Sequence, residues 1–320
     1  MKRRTFFKAA AGSIPLLGLF PARLEGIIRE IKPGQIEKRS LGKTGEKLSV
    51  IGFGGIVVAD STTTEASERV SMAIDYGVNY FDVAPTYGNA EIMLGPALEP
   101  YRKDVFLACK TTERKKEGSR KELEQSLSHL RTDHFDLYQL HSVTKPEDVD
   151  TIFGPDGAME TFLAARKEGK VRFIGFTAHS VEAAMKLMDQ FDFDTILFPF
   201  NYATWYAGNF GPQVLDRAHK KGMGLLALKA MARGPWPENA TNKISKCWYE
   251  PLTDPEDALQ ALRFTLSHPI TAAIPPGNEN LFRMALEVSG KIKPLDAAEI
   301  ENMKVKGLAG QPLFSYPRTV

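Results

Sequence analysis

The chain has 320 residues, 43% hydrophobic and 25% charged, an ordinary globular composition with ample material for a core. The formal net charge is +2, but Lys2, Arg3, Arg4, Lys8 and Arg23 lie in an opening segment without acid; the rest is mildly acidic, which speaks against a nucleic-acid surface. The two cysteines, Cys109 and Cys247, are far apart and form no CxxC, so zinc and iron–sulfur readings have no support, and Cys109, inside an apolar run, reads as a buried free thiol.

Residues 1–30 read as an address and a linker rather than fold. A basic start precedes an apolar stretch from Ala9 to Phe20, too short to span a bilayer as a stable helix. Arg3-Arg4-Thr5-Phe6-Phe7-Lys8 resembles the twin-arginine export signal. That resemblance implies the twin-arginine export machinery as a partner and a periplasmic location. Leu19-Phe20-Pro21-Ala22 is a poor cleavage site, so membrane contact is expected only through an uncleaved leader.

Residues 31–320 read as one domain. After Pro33-Gly34, the segments Ile36–Leu41 and Glu46–Leu48 flank Gly42-Lys43-Thr44-Gly45, which predicts a small hairpin able to close a barrel bottom. Eight apolar runs of strand length follow: Leu48–Phe53, Asn79–Ala84, Val105–Lys110, Phe135–His141, Phe173–Ala178, Thr195–Asn201, Gly224–Ala230 and Thr271–Pro275. Most are nearly continuous in apolar residues, as strands covered on both faces should be. Helical faces fall between them: Val70, Ala73 and Ile74; Leu123, Leu127 and Leu130; Met159, Phe162 and Leu163; Val214, Leu215 and Ala218. Thr64, Ser180 and Asp254 read as helix caps, with Pro255 in a first turn. Eight units without a second composition block predict an α/β fold, a (β/α)8 TIM barrel with an N-terminal β-hairpin. The doubly wound alternative lacks its phosphate turn, since Gly52-Phe53-Gly54-Gly55 does not have the G-x-G-x-x-G spacing.

Asp82, Lys110 and His141 end the second, third and fourth runs, and Tyr87 lies on the loop after the second. In such a barrel the C-terminal strand ends converge on one face. A free tyrosine, with a pKa of about 10, is a poor acid at neutral pH. A neighbouring ammonium favours the phenolate. Asp82 can hold Lys110, and His141 can donate to a substrate oxygen. The set suits protonation of a carbonyl oxygen as a hydride reaches its carbon.

The residues around this set carry a resemblance. Gly77-Val78-Asn79-Tyr80-Phe81-Asp82-Val83-Ala84-Pro85-Thr86-Tyr87-Gly88 is similar to the signature of the aldo-keto reductase superfamily, with Lys110 and His141 in matching order. Leu41-Gly42-Lys43-Thr44-Gly45 and Gly169-Lys170-Val171-Arg172-Phe173-Ile174-Gly175 also fit. The resemblance implies a TIM barrel and carbonyl reduction without metal, with NADP as cofactor and NAD as the alternative. Tyr87 would be the general acid, Lys110 its partner, Asp82 the orienter and His141 the polariser.

The cofactor groove departs from that pattern. Thr177-Ala178 stands where the family has Ser-Asn, Leu197 where it has Gln, and Leu228 where an aromatic stacks on the nicotinamide. Asn201 is expected to compensate in part, and Phe200, Tyr202 or Trp205 to cover the ring. Gly277 and the helix after it can seat a phosphate, with Arg283 as the nearby charge, while Glu279 would repel a 2′-phosphate. The segment Arg233–Asp254 reads as a lid or pocket wall, and His179, Trp205 and Trp236 as substrate contacts. The tail after Lys293 is short and has no cysteine. The partner implied is a small carbonyl compound. The competing reading is a non-catalytic nucleotide-binding or sensor barrel that retains the fold.

Overall fold

A computed structural model describes residues 36–318. The leader reading therefore lies outside the described residues. A hairpin opens the fold, with β1 (Lys38–Ser40) antiparallel to β2 (Lys47–Ser49). Eight parallel strands follow: β3 (Phe53–Gly54), β4 (Tyr80–Asp82), β5 (Phe106–Thr111), β6 (Phe135–Val143), β7 (Val171–Ala178), β8 (Thr195–Pro199), β9 (Gly224–Leu228) and, last, β12 (Ala272–Ile274). A short antiparallel pair, β10 (Ala232–Gly234) with β11 (Glu250–Pro251), lies between β9 and β12. Each barrel strand pairs with the next in sequence, and the parallel bridge Ile51–Ala273 joins the first to the last. The architecture is the (β/α)8 barrel that the strand pattern predicts.

The helices are α1 (Thr63–Asp75), α2 (Ala90–Leu98), α3 (Lys116–His129), α4 (Pro146–Phe153), α5 (Ala158–Lys167), α6 (Val181–Gln190), α7 (Tyr202–Tyr206), α8 (Pro212–Lys220), α9 (Pro255–Leu266), α10 (Glu279–Ser289) and α11 (Ala297–Ala309). Among the described residues, none is long and apolar enough to cross a membrane. Ser180 and Asp254 cap α6 and α9 as expected. The cap of α1 is Thr62 rather than Thr64, because Thr62 and Glu65 form a reciprocal capping box. The predicted faces are buried except at Ile74, which is half-buried, and Leu163, which is 45% exposed. The run Leu48–Phe53 is divided: Leu48 belongs to the hairpin and Phe53 to the first barrel strand.

Two cores result. The larger fills the space between strands and helices. The smaller lies inside the barrel, where Tyr80, Phe106, Leu137, Leu197 and Leu226 meet Leu41 and Leu48 from the hairpin. Gly42 has φ +51, and a Cβ there would stand 2.3 Å from the Gly224 amide nitrogen at the start of β9. The hairpin thus presses on the N-terminal ends of the strands and drives Leu41 inward, leaving the C-terminal ends open. Leu41→Ala should cost about 2–5 kcal/mol in urea unfolding. A loss well under about 1 kcal/mol would mean that the hairpin does not seal the barrel.

Candidate active site

Asp82 is the last residue of β4, Lys110 lies one residue from the end of β5, and His141 lies two from the end of β6. Parallel register sets Lys110 beside Gln139 and Asp82 beside Ala108. Lys110 Nζ forms an ion pair with Asp82, donates to the Val83 carbonyl at 3.1 Å, and stands 3.4 Å from the Tyr87 hydroxyl. Both ions are almost fully buried. The other carboxylate oxygen of Asp82 accepts from Gln139 Nε2 at 3.0 Å and from the Tyr80 hydroxyl at 3.3 Å. The His141 ring meets Tyr87 edge-on, with centroids 5.7 Å apart. Sequence reasoning did not assign Tyr80 and Gln139 to the site. Gln139 is a polar residue within an apolar strand beside Lys110, a signal that register alone makes readable.

The electrostatics follow from burial. Desolvation works to lower the Lys110 ammonium, but Asp82 and Tyr87 outweigh it and hold it above its ordinary value. Burial raises the Tyr87 phenol above its ordinary value near 10, and Lys110 opposes this without reversing it. The sequence led one to expect a net lowering. The ammonium is shared with Asp82, so its pull on the phenol is reduced. His141 is pushed down to about 2 by burial and then by the Lys110 charge. Its Nδ1 is buried and has no hydrogen-bond partner among the described residues.

These groups line a cavity of about 330 Å³ together with Gly54, Ile56, Thr177, His179, Leu197, Leu228 and Gly277. Thr177 Oγ1 accepts the Ser142 amide at 2.6 Å, leaving its proton available. Leu197 sits beside Thr177 in register, so that wall is apolar where an amide was expected.

Six other predicted residues are not in the lining, among them Phe200, buried against Phe198, and Tyr202, packed edge-on against Phe264. Asn201 is buried as the cap of α7, accepting from the Thr204 amide and donating to the Lys229 carbonyl. Trp205 packs against His268, with centroids 4.4 Å apart, and against Phe264. Trp236 donates its indole N–H to the Cys247 carbonyl at 2.9 Å and so ties together the Arg233–Asp254 segment. Arg283 is exposed on α10. A loop can be assigned to the barrel mouth from sequence, but the direction of each side chain is set by packing.

The segment instead contributes Lys246, Trp248 and Tyr249 to the wall. Lys246 Nζ donates to the Val57 carbonyl at 3.3 Å, and Arg69 donates to the same carbonyl at 2.9 Å. Two cations thus stand near the Gly277 loop, with Glu279 paired to Arg69. Lys229 also lines the cavity, and its Nζ lies 2.9 Å from His179 Nε2. His179 Nδ1 lies 2.9 Å from the Ser142 hydroxyl, and its ring stacks on Phe314 from the tail. Lys229 and Ser142 both hold left-handed backbones, φ +67 and +52. Burial, then the Lys229 charge, pushes His179 down to about 3.

The profile of the family described as aldo/keto reductase matches residues 50–272. The L-galactose dehydrogenase of Arabidopsis thaliana is 31% identical over 220 residues, which cover 62% of this chain and 67% of that protein. The 6-dehydroglucose reductase of Novosphingobium aromaticivorans is 31% identical over 168 residues, 45% of this chain and 53% of that protein. The chain thus spans about two thirds and about half of these relatives. In fold it is similar to the aldo-keto reductase AKR11C1 of Bacillus halodurans, with TM-score 0.69 and 21% identity over 88% of this chain and 99% of that one.

His141 and His179 are held neutral in the folded protein, whereas in an unfolded chain both take up a proton near pH 6.5. Between pH 6.5 and 5 the unfolded state therefore binds more protons, and stability should fall as pH falls. Thermal melts should show this slope. The double variant His141→Gln, His179→Gln should flatten it, and an unchanged slope would contradict the burial argument.

Proposed function

The chain belongs to the aldo/keto reductase family, and on that premise we propose that it is an oxidoreductase interconverting a small carbonyl compound and its alcohol, with Tyr87 as general acid and base. The observation that carries the reading is the Tyr87 hydroxyl, 3.4 Å from a permanently charged Lys110 and beside a neutral His141. With a pKa of about 2, His141 cannot be the proton donor near neutrality. As a neutral ring it donates one hydrogen bond and polarises the carbonyl oxygen. The proton then comes from Tyr87, and the phenolate left behind faces the Lys110 ammonium. Asp82 fixes that ammonium, and Gln139 and Tyr80 fix Asp82. In the reverse direction Tyr87 takes the proton from the alcohol.

None of these side chains can supply a hydride, so the reading requires a carrier. The cavity fits a nicotinamide dinucleotide in its chemistry: Leu228, Leu197 and Thr177 form a mostly apolar wall, and Lys246 beside Gly277 offers positive charge for phosphates while Arg69 holds Glu279. When bound, that cofactor supplies or accepts the hydride. The two cations, and the pairing of Glu279 with Arg69, support NADP over NAD. Two relatives named for sugars support a polyhydroxylated substrate.

The leader supports export by the twin-arginine route, with the cofactor loaded before transport. Replacing Arg3 and Arg4 by Lys should retain the protein in the cytoplasm on cell fractionation. Unaltered export would remove that proposal.

Tyr87→Phe should lower kcat by about 10²–10⁴ while NADPH binding, followed by fluorescence titration, stays within about twofold. Equal turnover would exclude Tyr87 as the acid. Tighter NADH than NADPH binding would overturn the cofactor preference. If the wild-type protein binds neither, the barrel is one that does not perform this chemistry.

A further inference from the structure

Lys229 is used by nothing in the chemistry above, yet it is the most unusual of the three lysines in the cavity lining, the others being Lys110 and Lys246. It is 6% exposed. Among the described residues no carboxylate pairs with it, in contrast to Lys110. Its Nζ is held by His179 at 2.9 Å and lies between two rings, 5.1 Å from the centroid of Trp248 and 5.5 Å from that of Phe314. Its backbone is left-handed at φ +67, a conformation that a non-glycine residue keeps only when its surroundings hold it there. Ser142, which braces the other side of His179, has the same kind of backbone. A solvated surface lysine needs none of this. Four separate segments, the β6 end with Ser142, the β7 end with His179, the Arg233–Asp254 loop with Trp248 and the tail with Phe314, converge to place one amine in the cavity.

We propose that Lys229 is the recognition site for an acidic substrate, pairing its ammonium with the carboxylate of the carbonyl compound whose oxygen faces Tyr87 and His141. The inference rests on the carbonyl-reducing reading of this cavity and names its substrate class: an aldehyde or ketone acid, a sugar acid included. Two observations favour the substrate over the cofactor as the source of the anion. The Gly277 loop already has its own cations in Lys246 and Arg69. The Lys229 charge, by contrast, is among those that act on the His141 ring, so it is felt where the carbonyl is bound.

The physical chemistry supports the pairing. Burial alone pushes the Lys229 amine down to about 7. Its ionisable neighbour His179 and the nearby His141 are both neutral, so no negative charge offsets the cost. An arriving carboxylate supplies that charge and raises the amine again. Affinity for an acid should therefore be full below about pH 7 and decline as pH rises and the free amine loses its proton.

The test compares butanal with succinic semialdehyde, matched in length and differing in the acid group, using the full chain with NADPH. The semialdehyde should be preferred in kcat/KM by tenfold or more, about the effect of one buried charge pair. Lys229→Met should bring the ratio near one, and Lys229→Arg should restore much of it. An unchanged ratio in Lys229→Met overturns the proposal. So does an equal loss on both substrates together with weaker NADPH binding, which would assign the charge to the cofactor diphosphate. If neither aldehyde turns over, calorimetry with malonate, which cannot be reduced, decides without activity. Saturable binding at pH 6.5 that is lost in Lys229→Met upholds the site even if the reductase reading fails. No binding, or equal binding in the variant, overturns it.

Discussion

The Lys110 ammonium and the Asp82 carboxylate are taken out of water where β4 and β5 end, and the surrounding structure has to compensate that desolvation. Breaking such a pair by removing one partner costs about 3–5 kcal/mol, because the other ion is left buried and uncompensated. Here both ions are well satisfied. Asp82 accepts from Lys110, Gln139 and Tyr80, and Lys110 donates to Asp82 and to the Val83 carbonyl while facing Tyr87. Three neighbouring strands must hold register for all of these bonds to form. The pair therefore constrains the barrel mouth as much as the barrel positions the pair.

The charge also sets what its neighbours can do. Burial, and then the fixed Lys110 cation, keep His141 neutral, which leaves hydrogen-bond donation as its available role. The phenol of Tyr87 stays protonated because burial outweighs the ammonium. A protonated phenol next to a cation is an acid whose conjugate base, though disfavoured by burial, finds a counter-charge already in place. That is the condition a proton donor to a carbonyl needs, and it is reached without lowering the resting pKa.

The fold and the four central residues were legible because both are written locally. Strands covered on both faces give long apolar runs, and polar residues at their ends stand out against them. Asn201, Trp205, Trp236 and Arg283 were placed on the right loops but not in the cavity, since capping, ring packing and helix rotation decide where a side chain points. Lys229 was passed over because a lysine closing an apolar strand reads as one that reaches for solvent. Its left-handed backbone and its contacts with Trp248 and with Phe314, a residue of the tail, come from parts of the chain that sequence spacing cannot relate. Lys246 was missed for the same reason.

The division between what was legible and what was not has a physical meaning. The bottom of the barrel and the ends of β4 to β6 are built from strand residues and from one hairpin, so they tolerate little change. The opposite rim is assembled from the Arg233–Asp254 segment and the tail, which add Trp248, Tyr249, Lys246 and Phe314 around side chains that the strands supply. Those additions lie outside the strand ladder and can vary without disturbing the Lys110–Asp82 pair. On the proposed reading, proton chemistry belongs to the barrel, and discrimination among carbonyl compounds to the segments that close over it. An amine in such a rim, with no acid partner among the described residues, either sheds its proton, as burial inclines Lys229 to do near neutrality, or meets a negative group that enters the cavity.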